Sequence, residues 1–137
     1  MRFMAMVKAS ADSEAGKLPT GQELTEMGRF NEEMVAAGVM LAGEGLQASS
    51  KGARITFSGG KPTITDGPFT ESKELIAGFW LLQVKSKEEA VAWISRAPFV
   101  DGQVEIRQVF EVEDFGEALT PELRDGERRL RERSGLA

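Results

Sequence analysis

The sequence predicts an α+β sheet with two helices on one of its faces, and three observations carry that prediction. Segments of strand character and of helical periodicity follow one another as β-α-β, a hairpin, then β-α-β. Each helical segment in that order is opened by a capping signal and closed by Gly or Pro. The best-patterned strands are apolar on both sides.

Arg2 to Ala9 reads as the first strand, followed by a polar loop through Lys17. Thr20 and Glu23 have capping-box spacing, and Leu24, Met27, Phe30, Asn31, Met34 and Val35 recur at helical intervals until Gly38 stops the helix. Val39 to Gln47 resumes an extended reading, with Gly43 and Gly45 marking close backbone approach or a bulge. Ala53 to Phe57 and Pro62 to Thr65 flank Ser58-Gly59-Gly60-Lys61, where the glycine pair permits the positive φ angles of a tight hairpin. Ile76 to Val84 is the strongest strand. Ser86 with Glu89 opens a second helix carrying Ala90, Val91, Trp93, Ile94 and Ala97 before Pro98 ends it. Gln103 to Val112 makes the last strand, alternating Val104 and Ile106 against Glu105 and Arg107. After Glu113-Asp114 the composition changes: Thr120-Pro121 starts a third helix rich in Arg and Glu, with only Leu119, Leu123 and Leu130 apolar. Residues 1–112 are therefore read as one domain and residues 113–137 as a charged helical extension.

This order is that of a ferredoxin-like βαββαβ sheet with an inserted β-hairpin. In its central strand Ile76, Gly78, Trp80, Leu82 and Val84 point one way and Ala77, Phe79 and Leu81 the other, while Met4 and Met6 stand opposite Phe3, Ala5 and Val7. Two helices cover one face, and an apolar second face needs its own layer. The same sheet from a second subunit is the expected layer, giving a homodimer closed into an α+β barrel.

Composition narrows the chemistry. The 137 residues suit one domain with a real core and contain neither Cys nor His, which removes thiol nucleophiles, disulfides, Cys or His metal ligands and every imidazole base. A net charge of −5 opposes a phosphate-binding surface, so nucleic acid is not an expected partner. No apolar run approaches the ~20 residues of a membrane span, and the apolar stretch of MRFMAMVKAS is too short for a signal segment. A cytoplasmic location and no membrane partner are expected. Gly43-Glu44-Gly45-Leu46-Gln47-Ala48 fits a dinucleotide fingerprint in letters only, because no helix opens within it. Gly59-Gly60-Lys61 is a turn, and Glu111, Glu113 and Asp114 lack calcium-loop spacing, so no metal or cofactor is expected.

Asp66-Gly67-Pro68 is a turn on geometric grounds, ahead of the strongest strand. Asp66 is also the candidate catalytic carboxylate, which as a base needs burial to raise its pKa. Lys73 follows on the same loop as a candidate ligand-binding ammonium. Glu44 and Arg107, polar on strands expected to be covered, are either ligand-orienting groups or an ion pair. Trp80 is a core aromatic placed to line a cavity.

"AAGVMLAGEGLQ" (Ala36 to Gln47), "TDGPFTESKELIAGFWLLQVKSKEEAVAWISRAP" (Thr65 to Pro98) and "VEIRQV" (Val104 to Val109) together resemble the YCII-related family in its DGPF-containing branch, over roughly residues 1 to 112. The resemblance implies a ferredoxin-like fold dimerising into an α+β barrel. It also implies, for some branches, chemistry by a His-Asp pair in the cleft; with no His here, only Asp66 carries over. Two functions are expected. One is binding of a small organic molecule in the barrel cleft, with cofactor-independent acid/base chemistry by Asp66 and anion stabilisation by Arg107 or Lys73. The other is a non-catalytic dimeric accessory or regulatory protein, since DGPF members are associated with extracytoplasmic-function sigma factors.

Overall fold

The computed structural model describes residues 1–70 and 74–135. The first strand, β1, runs Arg2–Lys8. The polar loop after it holds a single helical turn, α1 (Ala11–Glu14), nucleated by a Ser10/Ser13 capping box made of two serines in place of the usual Glu partner. The long helix α2 (Gly21–Ala36) starts at Thr20, whose hydroxyl accepts from the Glu23 amide while the Glu23 carboxylate accepts from the Thr20 amide. It buries Phe30 and Met34. Gly38 adopts φ 71° and turns the chain out of the helix.

Strand β2 (Met40–Gly45) follows, then the hairpin strands β3 (Ala53–Ser58) and β4 (Lys61–Asp66), joined through Gly59 and Gly60 at φ 58° and 80°. The central strand β5 spans Ile76–Gln83. Ser86 caps α3 (Lys87–Ile94), and β6 (Val104–Gln108) completes the main sheet. The last strand is shorter than its alternating pattern suggests. At Glu111 the Asp114 carboxylate takes up the backbone amide, and a 3₁₀ segment over Val112–Ala118 replaces further pairing. The tail helix α4 (Pro121–Ser134) buries no residue.

The main sheet has the order β2-β5-β1-β6 with every neighbouring pair antiparallel, which is the interleaved arrangement of two split βαβ units. The hairpin forms a sheet of its own, β3 with β4. Phe30 and Met34 of α2 and Ala90 and Ile94 of α3 join Phe3, Ala5, Trp80, Leu82 and Val84 in a single core, so both helices pack on the same side. The opposite side of the sheet presents Met4, Met6, Ala77, Phe79 and Leu81, each half-buried. The strand alternation that placed these two sets on different faces is thus realised in full.

Register fixes what lies beneath the helices. One row across the helix-facing side reads Met40, Leu82, Phe3, Gln108, and the next reads Gly43, Trp80, Ala5, Ile106. The third reads Gly45, Gly78, Val7, Val104. The first two rows fill the core; the third, with two adjacent glycines, leaves it unfilled.

Candidate functional site

The unfilled third row opens a cleft of about 240 Å³ between the sheet and α2, lined by Val7, Gly45, Gly78, Trp80, Met27 and Asn31, with Phe99 closing one side. Its origin is a lack of side chains. A methyl group built on Gly45 would meet nothing within 4 Å. The other two glycines of the site have a different reason to be there. A Cβ on Gly78 would lie 2.9 Å from the Glu44 carbonyl oxygen, and one on Gly43 would lie 2.8 Å from the Trp80 ring. Close approach of the β2 backbone therefore explains Gly78, crowding by the Met40 and Trp80 side chains explains Gly43, and Gly45 borders open space.

Trp80 is held from several directions. It is 5% exposed, its ring meets Phe30 edge-on at 5.8 Å, and Phe99 lies 6.1 Å away on another side. Its indole N–H donates to Asn31 Oδ1 at 3.0 Å. An indole nitrogen donates only, so the amide of Asn31 must turn its oxygen toward Trp80 and its nitrogen elsewhere. The cleft adjoins a larger groove of about 690 Å³ through the shared residues Val7, Ala77 and Phe99. Ser10, Asp12, Lys17 and Gln103 are among the residues of that outer groove.

The residues singled out in the sequence fall in different places. Trp80 lies in the core and on the cleft wall at once. Glu44 lines the cleft from β2, although its register partner Phe79 puts it on the opposite side of the sheet from Trp80. Arg107 pairs with Met4 on β6, the other edge of the sheet. Three strand spacings separate those edges, roughly 14 Å, so Glu44 and Arg107 do not converge within one subunit. Lys73 lies outside the described residues. Asp66 is exposed at the base of the hairpin, paired with Ala53, and lines neither cavity.

The segment around Asp66 makes a built corner. The Gly67 amide donates to the Gly52 carbonyl at 3.0 Å, the Gly67–Pro68 peptide is cis, and the Phe69 amide donates to Ser49 Oγ at 3.0 Å. Ser49 in turn gives both its amide and its hydroxyl to the Glu14 carboxylate. The guanidinium of Arg54 stacks 4.0 Å over the Phe69 ring. A Cβ on Gly67 would fall 1.7 Å from the Ser49 carbonyl oxygen, so only glycine lets the two loops touch. This corner ties α1, the 3₁₀ turn at Ser49–Lys51 and the hairpin into one unit.

Among the described residues no group of three or more acidic side chains is arranged to hold a metal ion, and no helix is long and apolar enough to cross a membrane. Asn31 is the polar cleft residue that the sequence reading passed over. Its signal was a carboxamide within the apolar stripe of α2, four residues after Met27 and three before Met34, where an aliphatic side chain would otherwise sit.

Compared with known proteins, the chain matches the model of the YCII-related domain over residues 1–113. It belongs to the YCII-related family. This YCII-related chain is 29% identical over 87 residues to an uncharacterized protein of Rhizobium meliloti (strain 1021), an alignment covering 61% of the chain and 70% of the relative. It is also similar to a solved structure of 5-chloro-2-hydroxyhydroquinone dehydrochlorinase from Burkholderia phenoliruptrix AC1100, in complex with 2,5-dihydroxybenzoquinone. That similarity has a TM-score of 0.47 at 14% identity, covering 81% of this YCII-related chain and 95% of the other.

Proposed function

We propose that this YCII-related protein binds a small, largely apolar ring compound in the cleft under α2, and that it does so as a homodimer closed across the second face of its sheet. The observation that carries the binding reading is the third row: Gly45 and Gly78 leave a cleft of about 240 Å³ in an otherwise filled layer, beside a buried Trp80. An engineered apolar cavity of about 150 Å³ takes benzene, so this volume suits one substituted ring. The dimer reading is supported by the half-buried apolar set Met4, Met6, Phe79 and Leu81, opposite the helices. In this proposal Asp66 serves the hairpin corner, and acid/base chemistry by it would require a substrate reaching out of the cleft to an exposed carboxylate.

The test combines Gly45→Val, which fills the cleft, with titration of small ring compounds followed by two-dimensional NMR. Loss of cleft-localised shifts in the variant is expected; unchanged binding refutes the cleft. Phe79→Glu, followed by sedimentation, is expected to give monomers, and a wild-type chain that is monomeric at micromolar concentration refutes the dimer.

A second reading, a dimeric accessory protein that docks others, is favoured by a separate observation. The hairpin exposes Ile55, Phe57 and Ile64 at 58%, 72% and 69%, and α4 exposes Leu123 and Leu130. Retained cleft residues with loss of function in hairpin variants would favour it.

A further inference from the structure

Resting on the binding reading above, we infer that Asn31 is the polar recognition element of the cleft, an oriented amide donor, and that the ring compound bound there carries a carbonyl or phenolic oxygen placed to accept from it.

The argument starts from the partner of Asn31. Trp80 is fixed by the core on both sides of its strand position, with Phe3 and Leu82 buried nearby and Phe30 against its ring. Its N–H points at Asn31 Oδ1 at 3.0 Å. A side-chain amide has only two ends, so pinning the oxygen also pins the nitrogen. Among the described residues Nδ2 has no hydrogen-bonding partner, while Asn31 lines the cleft and is half-buried. The tether therefore holds two N–H bonds at a cleft lined by Val7, Met27, Gly78, Trp80 and Phe99, with Glu44 at the β2 side.

That arrangement selects a chemical class. A donor without an acceptor in a mostly apolar cleft favours a ligand that brings an oxygen lone pair and disfavours one that does not. The bond from Trp80 polarises the amide further, strengthening its N–H donors. The glycine row sets the shape. With no Cβ on Gly45 or Gly78 the floor there is bare backbone, and the aromatic residues Trp80 and Phe99 line the same cleft, which suits a ring compound. An aliphatic residue at 31 would leave the buried indole N–H of Trp80 without an acceptor, so the core accounts for the oxygen of this carboxamide and leaves its nitrogen to the cleft.

The test uses two probes of nearly equal shape, acetophenone and ethylbenzene, which differ in one oxygen. Binding is followed by NMR through the indole N–H resonance of Trp80, readily resolved because the chain has only two tryptophans. The wild type is expected to bind the ketone roughly tenfold more tightly than the hydrocarbon, the ratio expected for one hydrogen bond. Asn31→Asp keeps an oxygen for Trp80 but offers the cleft an acceptor in place of a donor, so the ratio is expected to fall to one or below. Trp80→Phe removes the tether without removing the amide; with the indole gone, binding is followed through the backbone amide resonances of Gly45 and Gly78, and the ratio is expected to fall partway. A ratio near one in the wild type, or a tenfold ratio that survives Asn31→Asp, overturns the inference while leaving the cleft intact. Should Asn31→Asp fail to fold, the wild-type ratio and Trp80→Phe decide. If neither probe shifts the Trp80 resonance, and Gly45→Val is indistinguishable from wild type with both, the cleft reading itself fails and takes the inference with it.

Discussion

Gly45 and Gly78 face each other across β2 and β5 in the same row, yet adding a side chain to them is expected to have opposite effects. At Gly78 a single methyl would sit 2.9 Å from a backbone carbonyl oxygen of the neighbouring strand, closer than a carbon–oxygen contact allows. The strands must separate locally to accept it. Overpacking of this kind costs about 1–3 kcal/mol, and the ladder around Gly78 carries both edges of the central strand, so the upper half of that range applies to Gly78→Ala. At Gly45 there is nothing within 4 Å of the new carbon, and the residue lies at the end of its strand. Replacing it removes backbone freedom from the unfolded chain and adds a strand-favouring side chain over open apolar space. Gly45→Val is therefore expected to stabilise by about 0.5–1 kcal/mol. The assay is equilibrium urea denaturation of both variants beside wild type, reading the midpoint at constant slope. If Gly45→Val destabilises as much as Gly78→Ala, the space above the third row does not exist, and the origin assigned to the cleft is refuted.

Three further outcomes are expected. Gly67→Ala forces the corner away from Ser49, losing the Gly67 and Phe69 amide bonds, about 2–3 kcal/mol of anchoring; hydrogen exchange should speed up over Ala53–Asp66 with the main sheet still protected, and unchanged exchange there would contradict it. Thr20→Ala removes one half of the α2 capping box and should cost about 1 kcal/mol, seen as a lower urea midpoint. The third concerns Glu111. A hydrogen bond from Arg2, the Arg2 charge and weaker attraction from the N-terminus and Arg131 together outweigh burial and hold its carboxyl below the ordinary 4.5. A depressed folded-state pKa means that the associated stability is complete above the unfolded pKa and is lost as pH falls through the lower folded value. Acid titration of stability in wild type should thus be steeper below pH 4.5 than in Glu111→Gln, and parallel curves would refute the coupling.

Much of the fold was legible because its signals are local. Thr20 with Glu23 opens α2 as a reciprocal capping box, and strand alternation put Phe3, Ala5, Trp80 and Leu82 together on the helix side. Ser86 caps α3 as its spacing indicated, although the Glu89 carboxylate accepts from the Lys85 amide instead of closing the box on Ser86. The end of β6 was misjudged at Val112, because alternation continues past Gln108 while a turn of 3₁₀ helix captures the backbone first. The candidate site was less legible because it depends on register. That Gly45 stands beside Gly78 follows from how β2 pairs with β5 after the irregularity between Met40 and Ala42, which no local pattern encodes. Likewise Glu44 and Arg107 share polarity and strand context but not proximity, since strand order puts them on opposite edges. Asp66 carries an identical letter whether it is buried in a pocket or exposed at a hairpin base, as it is. Asn31 looked like one more position on a helical stripe until its partner came from a strand 49 residues away.

Because the opening beneath α2 results from omission at an edge strand, its depth can be graded at position 45 by one carbon at a time, with the caps, the hairpin corner and the filled rows left as they are. Selectivity in this scaffold is thus separable from foldedness: exchanging glycine for alanine or valine there would change which molecules enter while the rest of the chain goes on assembling in the same way.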